Sequence, residues 1–177
     1  MGMIGRKIVS KAGLNVDKLL ELLNKAYSDE WLAYYQYWVG AQVASGVMAT
    51  SLIPELEEHA NEELDHAKKL AKRIIELGGT PVLSPEEWYQ QSTCGFLTPK
   101  DADADILLKQ NLQGERCAIG VYNKLLCLVK DKDLLTAHII RQILQDEVEH
   151  EQELEDLARD FKVALPTCDN TCGCEQK

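Results

Sequence analysis

No stretch of about 18 apolar residues occurs anywhere in the 177-residue chain, so no segment reads as a membrane-crossing helix. The opening residues, MGMIGRKIVSKAGLN, hold no apolar run long enough for the hydrophobic region of a signal peptide, and a cytoplasmic location is the expectation. Positive charge is scarce: 19 Lys and Arg stand against 29 Asp and Glu, a formal net charge of −10. Such a balance repels phosphate backbones and argues against nucleic-acid binding by the body of the protein unless basic residues are segregated. Only Arg6, Lys7 and Lys11, ahead of the first acid at Asp17, show such segregation. Strand signals are almost absent. Six cysteines could make three disulfides, but a chain of this length with 45% apolar residues builds a core without them, so free thiols or metal contacts are expected.

What the chain does have is helical periodicity. From Val16 to about Ser45 the apolar residues Val16, Leu19, Leu20, Leu23, Ala26, Tyr34, Tyr37, Ala41 and Ala44 keep the spacing of one helix face, with Asn15 as the predicted N-cap. A second helix is predicted from near Ser51 to Gly78-Gly79, with Pro54 in its first turn and a stripe of Leu52, Leu56, Leu70, Ile74 and Leu77. The third runs from about Asp103 to Lys130 on Leu108, Leu112, Ile119, Tyr122, Leu126 and Val129. The fourth runs from about Asp133 to Lys162 on Ile140, Ile143, Leu154 and Phe161.

Helices of roughly 40 Å suit a bundle with near-parallel axes. Between the second and third, three prolines in residues 79–102 mark a connection, long enough to run the length of the bundle. Within it, Ser84-Pro85-Glu86-Glu87 reads as a helix start, giving a short extra helix from Pro85 to Gln91. The expected fold class is all-α: a four-helix bundle over residues 1–165 with one long crossover, the ferritin-like arrangement, followed by a Cys-containing flexible tail over 166–177.

Each apolar stripe is interrupted near its middle. Glu30 lies midway between Leu23 and Tyr37; Glu63 and His66 lie between Leu56 and Leu70; Glu115 between Leu112 and Ile119; Glu147 and His150 between Ile143 and Leu154. Uncompensated burial of these groups would cost several kcal/mol each, a conflict that a cluster of cations resolves. Both Glu63-Leu-Asp-His66 and Glu147-Val-Glu-His150 are Glu-x-x-His, which puts carboxylate and imidazole one turn apart on the same face. Glu30 precedes Glu63 by 33 residues and Glu115 precedes Glu147 by 32, while Tyr37 and Tyr122 each follow a lone Glu by seven. The chain thus reads as two similar helical hairpins around a dinuclear carboxylate site. The competing reading, a solvated acidic face, conflicts with the alignment of all six residues on the Leu, Ile and Tyr side.

On these residues the chain resembles a ferritin-superfamily ferroxidase with a site like that of bacterioferritins. The segment Asp29-Glu30-Trp31-Leu32-Ala33-Tyr34-Tyr35-Gln36-Tyr37 is similar to the first-helix pattern of that family. The resemblance implies terminal ligands at Glu30 and Glu115, bridging ligands at Glu63 and Glu147, and one imidazole per metal from His66 and His150. Bacterioferritins hold haem through a Met just after the second-helix ligand Glu; here that position is Leu64, so no haem is expected.

The short crossover helix and the pair Cys94 and Cys117 resemble the Dps-like subgroup called thioferritins. That likeness implies a redox-active thiol pair or disulfide beside the site and a hollow, roughly dodecameric cage; two independently buried cysteines are the alternative. Cys127 is expected in the core, and Cys168, Cys172 and Cys174 in an oxidisable tail. Tyr37 is a candidate to hydrogen-bond a ligand or supply an electron, or else a buried structural tyrosine. His59 and His138 read as structural.

The implied activity is oxidation of two Fe(II) per subunit by hydrogen peroxide or dioxygen with storage of ferric iron, protecting against oxidative stress; manganese or zinc fits the same ligand types. Rival readings are a di-iron or di-manganese peroxidase or catalase without storage, a DNA-compacting Dps protein supported only by the basic N-terminus, and a small hydroxylase.

Overall fold

The protein is described here by a computed structural model covering residues 3–165. The predicted tail with Cys168, Cys172 and Cys174 lies outside the described residues. Six helices and no extended strand make up the described chain: α1 (Met3–Lys11), α2 (Val16–Val43), α3 (Ala49–Glu76), α4 (Pro85–Gln91), α5 (Ala104–Val129) and α6 (Leu134–Asp160). The four long helices follow the stripes. Their starts are fixed by side chains that accept otherwise orphaned backbone donors: Asn15 from the Lys18 amide, Asp103 from Asp105 and Asp133 from Thr136. At its C-terminus α3 closes in a Schellman turn, in which Gly78 (φ +82°) donates to the Ile75 carbonyl and Gly79 to that of Ile74. A side chain at Gly79 would collide with Leu20, since its Cβ would lie 2.6 Å from Leu20 Cδ2.

Several expectations are corrected. Helix α3 begins at Ala49, earlier than predicted, so Pro54 lies inside the helix rather than in its first turn. It is exposed there, and the carbonyl that loses its helical donor belongs to Thr50, also exposed, where water can serve it. Ser84 precedes α4 but spends its hydroxyl on Glu86 rather than on a cap. Phe161 follows the end of α6 and stays 39% exposed, because the chain turns there into a left-handed residue at Lys162 (φ +58°). Ile119 and Cys127 are half-buried rather than core.

Helix α1 has no counterpart in the sequence reading. Val9 joins the core near Leu14, Val16 and Leu77, and Arg6 donates to the Leu77 carbonyl at 3.0 Å while pairing with Asp17.

Helices α2 and α3 pack as one hairpin and α5 and α6 as the other. The connection between them is pinned along the length of α2. Asn24 holds Thr80 and Val82, Asp29 accepts from the Ser92 hydroxyl and the amides of Thr93 and Cys94, Gln36 accepts from Leu97, and Ser45 pairs with Ala102 and Ala104. Trp88 of α4 stacks on Trp31 of α2 at 4.8 Å between ring centroids. The buried apolar residues divide into two clusters, one around Leu19, Leu23, Leu70, Ile74 and Ile140, the other around Leu52, Leu56, Leu108, Leu112 and Leu154. Between them lies a layer of charge.

Candidate metal centre

That layer contains all six predicted site carboxylates and imidazoles. Glu30, Glu63, His66, Glu115, Glu147 and His150 are each at most 2% exposed. They fall into two overlapping sets: Glu30, Glu63, His66 and Glu147, and Glu63, Glu115, Glu147 and His150, with the donor atoms of each set within 4.8 Å of one another. The overlap follows from the α-helical spacing. Nδ1 of His66 faces Glu30 Oε2 at 3.3 Å, Glu63 Oε2 at 3.2 Å and Glu147 Oε1 at 3.3 Å. Nδ1 of His150 faces Glu63 Oε1 at 3.4 Å, Glu115 Oε2 at 3.7 Å and Glu147 Oε2 at 4.0 Å. Glu63 and Glu147 therefore offer one oxygen to each set, while Glu30 and Glu115 belong to one set apiece.

Whether cations fit can be tested on hydrogen bonding alone. Buried polar atoms are nearly always paired. Here Glu30 Oε2, Glu63 Oε1, Glu115 Oε2, Glu147 Oε1 and His150 Nδ1 are all buried without a hydrogen-bond partner, and all belong to these two sets. Oxygen-rich sets completed by one imidazole suit iron, manganese or zinc. Without cations the cluster compensates with protons. Burial, then the charge of Glu63, pushes the Glu30 carboxyl well above its usual range; burial, Glu63 and Glu115 do the same to Glu147. Burial disfavours the charged form of His150, but the carboxylates of Glu115 and Glu63 facing its ring outweigh it and push the imidazole up to about 12. His66 is raised likewise by Glu147, Glu30 and Glu63 against the effect of burial.

The surrounding groups repeat the two-hairpin symmetry. Nε2 of His66 meets Asp146 at 3.0 Å and Nε2 of His150 meets Glu62 at 2.6 Å, so each ring is held from behind by the acid that precedes the other hairpin's Glu-x-x-His. Such outer carboxylates fix a ring's orientation and raise its basicity as a ligand. Tyr37 donates to Glu115 and Tyr122 to Glu30, again across hairpins. The sequence reading singled out Tyr37 and missed the roles of Asp146, Glu62 and Tyr122. The signal was available, because an acid stands immediately before both Glu63 and Glu147 and a Tyr stands seven after both lone glutamates.

Cys94 and Cys117 are joined as a disulfide, with Cα atoms 5.7 Å apart. Both line a cavity under the connection that reaches Glu30, Glu63, Glu115 and Glu147. Its wall is stiffened by Gln36, which donates to Asn111 at 3.1 Å while accepting from the Leu97 amide. His138 is exposed and far in character from this layer; His59 is fully buried beside it, its ring stacked on His150 at 4.0 Å.

Known proteins agree with this architecture. A family model described as a ferritin-like domain matches residues 20–164. A DNA protection during starvation protein from Pyrococcus furiosus is 34% identical over 153 residues, covering 86% of this chain and 83% of that protein. A bacterioferritin from Desulfovibrio desulfuricans is 27% identical, with 82% of this chain and 76% of that protein covered. Among solved structures, a dodecameric thioferritin from Bacteroides fragilis, a bacterioferritin-related protein, superposes with a TM-score of 0.89 at 45% identity, covering 91% of this chain and 95% of that one. The chain belongs to the ferritin-like domain family.

Proposed function

We propose that the protein is a ferroxidase that binds two Fe(II) ions per subunit in the two overlapping sets, oxidises them with hydrogen peroxide or dioxygen, and stores the ferric product in a cage of about twelve copies. The observation that carries this reading is the sharing of Glu63 and Glu147, each with one oxygen in either set. Two ions held by common carboxylates can deliver two electrons together. With peroxide the balance is two Fe(II) giving one electron each, the O–O bond breaking, and two protons taken up to release two waters. In this scheme Glu30 and Glu115 are terminal ligands, Glu63 and Glu147 bridge, and His66 and His150 complete one metal each. Tyr37 and Tyr122 position Glu115 and Glu30, and the cavity beside the Cys94–Cys117 disulfide admits substrate.

Cage assembly is supported by the 45% identity to a dodecameric thioferritin, and storage with protection against oxidative damage is the role we assign to such a cage. No described helix is long and apolar enough to cross a membrane, and we place the protein in the cytoplasm, with residues 1–165 as the bundle and 166–177 as its tail. DNA compaction is disfavoured, since Arg6 of the basic N-terminus is committed to Leu77 and Asp17.

The test is anaerobic loading with Fe(II), addition of peroxide or air, and measurement of ferric absorbance together with iron retained on a sizing column. Fast oxidation with iron retained in a cage-sized particle, both lost in Glu63→Ala, is the expected result. Peroxide consumption with no retained iron would instead make the protein a di-metal peroxidase. Unaltered oxidation in Glu63→Ala would overturn the site assignment.

A further inference from the structure

We infer that a third divalent-cation site, formed by Glu55, His59 and Glu153, adjoins the centre on the His150 side. One donor atom from each of these residues lies within 4.8 Å of the other two, and His59 Nε2 is 2.8 Å from Glu153 Oε2. The residues continue the ligand ladder. On α3 the series Glu55, His59, Glu63, His66 advances by four, four and three, and on α6 the series Glu147, His150, Glu153 advances by three, so the added donors fall on the faces that already carry the centre. His59 stacks on His150, and from there the cluster opens outward: His59 is fully buried, Glu55 half-buried, and the Glu153 side chain is 44% exposed.

Two further observations separate this cluster from an ordinary acidic helix face. First, His59 is an imidazole with no exposed surface whose Nδ1 meets no hydrogen-bond partner, so the ring's one polar contact is that of Nε2 with Glu153, inside the cluster.

Second, the two hairpins, alike in their six site residues and two tyrosines, differ here. Counting from Glu147 as Glu55 and His59 count from Glu63 gives Ile139 and Ile143; counting from His66 as Glu153 counts from His150 gives Lys69. Ile143 is fully buried core, and Lys69 lies 3.6 Å from Asp146. One end of the layer is therefore finished with an apolar plug and a cation supplied by the chain. At the other end the same positions carry an imidazole and two carboxylates, and no lysine or arginine pairs with them among the described contacts. One imidazole and two carboxylate oxygens suit zinc, manganese or Fe(II), with water completing the sphere on the exposed side. Neighbouring Glu57, Glu58 and Glu62 on α3 add to the local negative potential that concentrates cations.

The experiment is equilibrium dialysis of the intact assembly against Zn(II), which is redox-inert, for wild type, the double variant Glu55→Gln and Glu153→Gln, and His59→Gln. Gln keeps size and polarity, and the two glutamates are not core residues, so the double variant folds even if His59→Gln does not. Expected are three Zn(II) per subunit in wild type and two in the double variant. Anomalous scattering from zinc-soaked crystals should show the third peak at His59. Two per subunit in both proteins would overturn the third site while leaving the dinuclear reading intact. Three in both would overturn its location. One in wild type and none in the double variant would keep the third site and remove the dinuclear centre instead.

Discussion

Removing a shared ligand should cost twice what removing an unshared one costs, and thermal melting with Zn(II) can read the difference. Glu30 belongs to one donor set and Glu63 to both. A ligand at a hundredfold excess over its Kd stabilises the native state by about 2.7 kcal/mol per site, so two sites give about 5 kcal/mol. For a chain of 177 residues, with roughly 2–4 °C of Tm for each kcal/mol, loading should raise the wild-type Tm by ~10–20 °C. Loss of one donor in four that weakens a site a hundredfold reduces its share to about 0.4 kcal/mol. Glu30→Gln leaves Glu63, Glu115, Glu147 and His150 complete and should keep about half of the shift; Glu63→Ala takes an oxygen from each set and should keep almost none. Any third ion contributes equally to all three proteins and drops out of the comparison.

The metal-free proteins should rank differently. Because burial and Glu63 hold the Glu30 carboxyl above its usual range, wild type loses stability relative to Glu30→Gln as pH rises above the ordinary carboxyl value of 4.5. At neutral pH the metal-free Glu30→Gln should therefore melt no lower than wild type and bind less metal. Equal loss of the metal-dependent shift in Glu30→Gln and Glu63→Ala would refute the bridging geometry.

Other perturbations test the supports of the site. Arg73 is buried and bonds Asp133 at 2.8 Å and Thr136 at 2.7 Å, so Arg73→Met strands a buried carboxylate and should cost about 3–5 kcal/mol in denaturant unfolding. In wild type the Asp133 carboxyl is held low by Thr136 and Arg73 against the effect of burial, so this contribution is present above the ordinary Asp value and is lost as pH falls through the lowered one; the variant's deficit should shrink in acid. Reducing the Cys94–Cys117 disulfide, which spans 23 residues, should destabilise by about 3 kcal/mol on chain-entropy grounds, read by melting with and without reductant and in Cys94→Ser. Tyr37→Phe and Tyr122→Phe should each weaken metal binding by roughly 10–100-fold at one ion. If Tyr37 alone slows iron oxidation beyond that, its role includes electron supply.

The sequence was most legible where a residue violated its surroundings. Six acids and imidazoles on Leu and Ile stripes could be seen without coordinates, because helical period alone assigns them to the buried side, and their doubled spacing joined them into one layer. Most boundaries of the four long helices were legible for the same local reason: Asn15, Asp103, Asp133 and Gly78 act within a turn of their own position, whereas Met48 at the start of α3 gives no side-chain cap to mark it. What escaped depends on partners far along the chain. Helix α1 is nine residues, too short to be stable alone, and its stability comes from Val9 and Arg6 docking at the far end of α3. Asp29 reads as one more acid of α2 until residues 92–94 fold back onto it.

The asymmetry of the two hairpins is the part that neither periodicity nor resemblance reveals. Within the layer every group on one hairpin answers a counterpart on the other: Glu30 and Glu115, Tyr37 and Tyr122, Glu62 and Asp146. A perfectly paired layer would present the same face at both ends. Instead Ile143 and Lys69 close one end, while His59 and Glu153 leave the other polar and partly open. Burying His59 where its counterpart is an isoleucine sacrifices apolar contact and leaves a ring nitrogen unpaired. A cost of that kind at a position stacked on His150 points to function at that end of the centre, and exchange of Ile143 for His would test whether the closed end can be opened in the same way.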